Sequence, residues 1–174
     1  MSAVTERFKV NDYLHYLGTG ICRIDEMRTE NFGGMGEKLY FVMHSVNDAK
    51  SVIFVPVDSE KLTSVMLGLM TADEINENID LAERGDVEWI ADNKQRAAYF
   101  NDIISTGDRL EILKIFRALS LRKLELESVK KKFYATDERV LATVSKVITD
   151  EFSFVLGIAP ADVVSYIKKR AGRE

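Results

Sequence analysis

The feature that most constrains the fold is a change of hydrophobic periodicity about a third of the way along the 174-residue chain. From Phe8 to Val57, short runs rich in β-branched and aromatic residues are separated by glycines, a pattern typical of half-buried strands and tight turns. From about Ser59 onward the apolar residues recur every three to four positions, as they do in amphipathic helices. The sequence therefore predicts a β domain followed by a helical domain.

The first of these domains is predicted to span residues 1–64 and to contain four or five antiparallel strands. Gly18 and Gly20 flank one predicted turn, and a glycine cluster at 33–36 marks a hairpin-like loop. Pro56 ends the last clear strand, where a missing N–H is tolerated at a sheet edge. Several short strands within so few residues are typical of a small barrel, and we expect an antiparallel β-barrel.

The second domain, residues 65–174, is predicted to be an all-α bundle. We expect a short apolar helix over 61–70, at the boundary, and another that begins at Thr71, which forms a capping-box pattern with Glu74. A further helix is predicted over 86–104. This helix is predicted to stop at residues 105–108. A later helix is predicted to begin at residues 136–138 and to end at Gly157, and Pro160 suits the first turn of the last helix.

Charge is distributed unevenly along the chain. The formal net charge of −4 resolves into −2 for residues 1–70, −7 for residues 71–92 and +5 for residues 93–174. Such asymmetry suggests two modules with different partners. The acidic total argues against autonomous nucleic-acid binding, but the basic C-terminal part stays available for nucleic acid that a partner brings to it.

Other features bear on the cellular compartment. Cys22 is the only cysteine, so no internal disulfide forms. The first ten residues contain no apolar signal region, and the longest apolar runs are far shorter than the ~18 residues that span a bilayer. We therefore expect a cytoplasmic protein with no membrane partner.

Few residues are candidates for chemistry. His15, His44 and Cys22 show none of the HxxxH, CxxC or HExxH spacings, so we expect no metal, no cofactor and no enzymatic activity. A nucleophile formed by Cys22 and either histidine remains an alternative, although a buried strand cysteine fits the pattern better. The glycine loop at 33–38 precedes a strand and lacks the Gly-Lys-Ser/Thr signature, which favours a hairpin over a phosphate-binding loop.

Trp89, the single tryptophan, is followed by Lys94 and Arg96. An apolar wedge next to basic residues is what minor-groove binding proteins use. The alternative is that Trp89 packs with Ile90 or Phe100 in the helical core, as most large aromatic residues do. The sequence leaves both interpretations open. The basic run 130–132 is interpreted as solvated surface.

Four N-terminal segments follow one another in a specific order: FKVNDY at 8–13, YLGTGICRI at 16–24, KLYFV at 38–42 and IFVPVD at 53–58. This order resembles the CarD/CdnL family of bacterial transcription regulators, whose first domain is shared with transcription-repair coupling factor. The order of Trp89, Arg96 and the 105–108 stop agrees as well, so the resemblance covers roughly residues 7–157. Departures from the family pattern are Asn11 for glycine, Leu17 for proline, Thr19 for histidine, Cys22 for glycine and Phe54 for an arginine of some members.

The resemblance implies a Tudor/SH3-like barrel that binds the β subunit of RNA polymerase by strand addition. It also implies a helical domain that contacts promoter DNA at the upstream edge of the transcription bubble and stabilises the open complex, with no small-molecule substrate. The residues expected to bind polymerase are Arg28, Ile53, Phe54 and Val55. The residues expected to bind DNA are Trp89, Lys94, Arg96, Arg117, Arg122, Lys123 and Lys146. The expected location is the bacterial cytoplasm, at the nucleoid through RNA polymerase.

A second interpretation keeps the polymerase contact and removes DNA. In it the protein is an adaptor whose helical domain contacts another protein, with the acidic segment 71–92 facing basic residues of that partner.

Overall fold

The computed structural model describes residues 3–34 and 36–172. The chain divides into two compact units, Met1–Leu69 and Met70–Glu174. The boundary was predicted between residues 64 and 65. The structure moves it to Leu69 because a short strand, Met66–Gly68, pairs with the N-terminal sheet.

The N-terminal unit is built on one five-stranded antiparallel sheet. Its strands are β1 (Tyr13–Tyr16), β2 (Gly20–Glu30), β3 (Lys38–Ser45), β4 (Asp48–Pro56) and β5 (Met66–Gly68), and its helices are α1 (Ala3–Arg7) and α2 (Glu60–Thr63). The spatial order is β4-β3-β2-β1-β5. Successive strands are joined by short connections, which is why neighbours in the chain pair in space.

The prediction of a closed barrel was wrong. Among the described residues, β4 and β5 form the two edges of the sheet and each pairs with one neighbour only. In the part of the chain that the structure describes, the three residues of β5 pair with β1 alone, so no strand pairing joins this edge to β4. The sheet is open, and β4 offers an unpaired edge that ends at Pro56.

One face of the sheet buries the core of this unit. Along β4 the side chains alternate, with Val55 fully buried and Val52 55% exposed. The core comprises Phe8, Leu14, Cys22, Ile24, Phe41, Met43, Val55, Val57 and Met66. The helix predicted over 61–70 is present only as far as Thr63, and beyond it Met66–Gly68 form β5, because a short apolar run suits a strand as well as a helix. Met66 is fully buried in this core.

Asn11 occupies the position where the resembled family has glycine. Its φ of 76° lies in the left-handed region. Asparagine tolerates this conformation better than most residues with a side chain. The turn that leads into β1 is therefore kept although the glycine is absent.

The C-terminal unit is helical, as predicted. Its helices are α3 (Ala72–Arg84), α4 (Asn93–Thr106), α5 (Arg109–Ser128), α6 (Ala135–Leu156) and α7 (Val163–Arg170). They surround a core that comprises Ile75, Ile79, Phe100, Ile112, Leu119, Val140, Val144, Phe152, Val163 and Ile167. No helix within residues 3–34 and 36–172 is long and apolar enough to cross a membrane.

Most of the predicted helix boundaries in this unit are confirmed. Thr71 and Glu74 form the capping box, Gly157 ends α6 with a φ of 64°, and Pro160 lies in a 3-10 turn before α7. The helix predicted over 86–104 was wrong in its first third. Residues 85–92 are not helical, because Asp92 caps α4 by accepting hydrogen bonds from the N–H groups of Lys94 and Gln95.

The capping box gives a direct test of the start of α3. In Thr71→Ala the hydroxyl that accepts the Glu74 N–H at 3.2 Å is lost. We expect the free energy of unfolding of the helical unit to fall by about 1 kcal/mol. Urea unfolding followed by Trp89 fluorescence measures it. Ser165→Ala, at an exposed position of α7, is the control and should change stability by less than about 0.5 kcal/mol; equal effects of the two substitutions would contradict the role of the cap.

Candidate functional site

The open edge of the sheet is accompanied by an aromatic cluster on the face opposite the core. The Phe32 ring meets the rings of Phe54 and Tyr40 edge to face, with centroids 5.1 and 5.2 Å apart. The Arg28 guanidinium carbon lies 5.5 Å from the centroid of the Phe54 ring. Phe32 is 46% exposed. Aromatic and arginine side chains grouped in this way are those that contribute most to protein interfaces.

The structure divides the four residues predicted to bind polymerase into two groups. Arg28 and Phe54 lie together on the outer face, where Arg28 also forms ion pairs with Glu26 and Glu30 at 3.2 and 2.7 Å. Val55 is fully buried and Ile53 packs against the core. At those two positions a partner can therefore reach the backbone of β4, but it cannot reach the Val55 side chain. Phe32 and Tyr40 were missed, because only the folded sheet brings them beside Phe54.

Trp89 lies in the non-helical segment between α3 and α4. Its indole is 42% exposed, so it is neither a core residue nor a fully solvated one. The Arg96 guanidinium carbon lies 4.3 Å from the centroid of the indole, and Phe100 contacts the ring at 6.4 Å between centroids. One part of the indole is packed within the helical unit and the rest faces solvent.

Arg96 was predicted to contact DNA phosphates, and this prediction needs correction. Its side chain is only 2% exposed. Nε and Nη2 donate to the two carboxylate oxygens of Asp137 on α6, at 3.1 and 2.6 Å, and Nη1 donates to the carbonyls of Ile90 and Ala91. With its donors occupied inside the unit, Arg96 fixes the segment that carries Trp89 and is not available to a phosphate.

Most of the other predicted DNA contacts already have acidic partners. Arg122 pairs with Glu125 at 3.1 Å, Lys123 with Glu138 at 2.8 Å and Lys146 with Asp150 at 2.5 Å. The hydrogen bond to Glu138 raises the pKa of Lys123. Exposed pairs of this kind contribute little to stability, so their cations can change partners.

Arg117 is held by acidic side chains more firmly than these three cations are, and Lys94 is held less firmly. Arg117 is held by both Glu83 and Asp86, at 3.3 and 3.5 Å, and it is partly buried. Lys94 is exposed, and in the part of the chain that the structure describes it has no ion pair. Of the predicted phosphate contacts, Lys94 therefore has the most accessible charge, and it lies in the first turn of the helix that follows Trp89.

The properties of Cys22 do not favour it as a nucleophile. Cys22 is fully buried, and burial raises the pKa of its thiol to about 11, whereas a nucleophilic cysteine needs a lowered pKa. His44 Nδ1 lies 2.6 Å from a carboxylate oxygen of Asp25. Among the described residues no group of three or more His, Cys, Asp or Glu side chains is arranged to hold a metal ion.

The buried ion pair can be tested by removing its acid. Asp137→Ala leaves the Arg96 guanidinium buried without a countercharge, so we expect the helical unit to lose about 3–5 kcal/mol of unfolding free energy. Urea unfolding followed by Trp89 fluorescence measures the loss. Lys146→Ala, which breaks an exposed pair, is the control and should cost less than about 1 kcal/mol. A loss below 1 kcal/mol for Asp137→Ala would contradict the role given to the pair.

Comparison with known families gives a match over the N-terminal unit. Residues 8–66 match the model of the CarD-like/TRCF RID domain. The matched segment runs from Phe8 in the core to Met66 in β5, and the helical unit lies outside it. No curated protein matches the chain.

Proposed function

We propose that the protein is a transcription regulator that binds the polymerase β subunit, because residues 8–66 match the CarD-like/TRCF RID domain, a type of domain named for its interaction with RNA polymerase. The observation that carries the proposal is the open β4 edge within the matched domain. Unpaired N–H and C=O groups at such an edge are a template for an added strand.

The contact with polymerase has two components. The backbone of β4, including Ile53 and Val55, supplies main-chain hydrogen bonds to an extended segment of the β subunit. Phe54 and Arg28, with Phe32 beside them, supply side-chain contacts on the outer face of the sheet. The backbone contributes affinity with little sequence preference, and the aromatic cluster contributes specificity.

The helical unit then contacts promoter DNA at the upstream edge of the transcription bubble. The exposed part of Trp89 packs against the distorted minor groove, and Lys94 binds a neighbouring phosphate. Arg96 and Asp137 keep the indole from turning away, so little conformational entropy is lost on contact. An interaction made only with the open complex shifts the equilibrium between the closed and open promoter complexes tenfold for every ~1.4 kcal/mol of binding free energy. No covalent chemistry is involved.

Binding to polymerase compensates for weak intrinsic affinity for DNA. The chain is acidic overall, and several of its exposed cations are paired with acids. Attachment to polymerase raises the effective concentration of the helical unit near the promoter. Arg122, Lys123 and Lys146 then exchange their carboxylate partners for phosphates. The protein accordingly works in the bacterial cytoplasm, at the nucleoid through RNA polymerase.

The pairing of these cations also favours a second candidate function. In this alternative the protein is a polymerase adaptor whose helical unit contacts another protein through the acidic segment 71–92, without DNA. Photocrosslinking from position 94 in the polymerase–promoter complex separates the two functions. Salt-sensitive crosslinks to DNA support the first, and crosslinks to protein alone support the second.

Replacing the exposed indole tests the DNA contact. In Trp89→Ala we expect polymerase binding to be unchanged and the lifetime of the open complex to fall by roughly tenfold, since a stacked aromatic residue contributes about 1–3 kcal/mol. The lifetime is measured after addition of a DNA competitor. Tyr134→Ala, at another exposed aromatic residue of the same unit, is the control and should leave the lifetime unchanged. Equal lifetimes for Trp89→Ala and the unmodified protein would contradict the DNA contact.

Replacing the half-buried aromatic side chain of β4 tests the polymerase contact. In Phe54→Ala we expect polymerase binding by the full chain to weaken at least tenfold, because a central aromatic residue of an interface contributes about 2 kcal/mol or more. Surface plasmon resonance with immobilised polymerase measures it. Tyr13→Ala is the control, since Tyr13 is 44% exposed on β1, which β3 and β2 separate from β4. A similar affinity for the two variants would place the polymerase contact elsewhere.

A further inference from the structure

The helical unit contains a surface groove of about 430 Å³ between α5, α6 and α7. Its volume is within the usual range for small-molecule sites, about 300–1,000 Å³. Leu124 and Val164 form its rim, where they are 57% and 36% exposed. The apolar side chains that line the groove are Phe116, Leu121, Leu124, Leu141, Val164 and Ile167. Exposed leucine and valine beside a groove indicate an apolar surface that a ligand can cover.

Three of the polar groups that line the groove can donate hydrogen bonds to a ligand. Within the described residues, the hydroxyls of Ser120 and Ser145 and the ammonium of Lys168 form no side-chain hydrogen bond or ion pair. Hydroxyl groups can donate, and the ammonium can only donate. These three groups lie on three different helices, α5, α6 and α7. A ligand with acceptor oxygens can therefore pair with all three groups.

The charged groups that line the groove are Arg117, Lys123, Glu127 and Lys168, and within the described residues Lys168 is the cation without an acidic partner. Arg117 is paired with Glu83, and Lys123 is paired with Glu138 and also lies near Glu127, the acid of the groove. The groove therefore combines an apolar lining with a single unpaired cation.

From this combination we propose that the groove binds an amphipathic monoanion, specifically a free medium-chain aliphatic carboxylate. The alkyl chain lies along the apolar lining, while the carboxylate pairs with Lys168 and accepts hydrogen bonds from Ser120 and Ser145. No bond is made or broken, so the molecule is a ligand and not a substrate. The groove shares Lys123 with the DNA contacts proposed above, but Ser120, Ser145 and Lys168, the three groups that hold the carboxylate, take no part in those contacts.

The direct test is a titration of the ¹⁵N-labelled full chain with decanoate below its micelle concentration. We expect amide shifts in α5, α6 and α7 around Ser120, Ser145 and Ile167, and none in the N-terminal sheet. Affinity should rise about twofold for each methylene from hexanoate to decanoate, roughly half the gain of complete burial because the groove is open on one side. Absence of a chain-length dependence, or shifts confined to other helices, would overturn the proposal.

Two variants with matched controls locate the ligand in the groove. Leu124→Glu places a carboxylate on the exposed rim and should weaken decanoate binding at least tenfold, whereas Val129→Glu, at a 61% exposed residue just beyond α5, should weaken it less than twofold. Lys168→Ala should weaken binding about twofold to fivefold, and Lys169→Ala less than twofold. Equal effects of variant and control would overturn the site, and circular dichroism melting checks that each variant is folded.

Two further ligands test the chemistry. Decanol has the chain without the charge, and it should bind at least twofold more weakly than decanoate and should be insensitive to Lys168→Ala. Vesicles of anionic phospholipid separate a free carboxylate from a membrane surface. Co-sedimentation of the full chain with vesicles, together with no response to decanoate, would assign the apolar rim to a bilayer and overturn the proposal.

Discussion

The ion pair between Arg96 and Asp137 connects parts of the helical unit that are far apart in the sequence. It joins α4 to α6, and through the carbonyls of Ile90 and Ala91 it also fixes the segment that precedes α4. Two charges taken out of water stabilise a fold only when their donors and acceptors are satisfied. Here Nε, Nη1 and Nη2 of the guanidinium all have oxygen partners, so the pair can be kept within the helical unit. The exposed indole depends on it, because Trp89 stacks on the guanidinium.

The N-terminal unit depends on a different constraint, which is that its sheet is open. A closed barrel would have paired the backbone of every strand, and β4 would have offered side chains only. In the open sheet, the Val55 side chain is buried in the core, and the backbone of the same strand faces outward at the edge. The two units therefore present different kinds of surface, a hydrogen-bonding edge in one and a rigidly held aromatic ring in the other.

Local sequence signals predicted local structure well. The capping box at Thr71 and the glycine that ends α6 need only a few neighbouring residues, and both are present as predicted. The burial of Arg96 could not be predicted in the same way, because its partner lies 41 residues away and only the packing of α4 on α6 brings them together. The exposure of Trp89 was left open for the same reason. Whether the sheet is open or closed into a barrel depends on the length of β5. The apolar run around Met66 does not show where that strand begins and ends, so the sequence could not distinguish the two.

The open β4 edge must also be protected against other copies of the same chain. An unpaired edge strand is a common start of aggregation, and natural sheets limit it with charges and prolines. β4 begins with Asp48 and Lys50 and ends at Pro56, which has no N–H to donate. These residues leave a short uncharged stretch from Ser51 to Val55 between them. The same residues that discourage fibril growth thus set the length and the register of the strand that can be added.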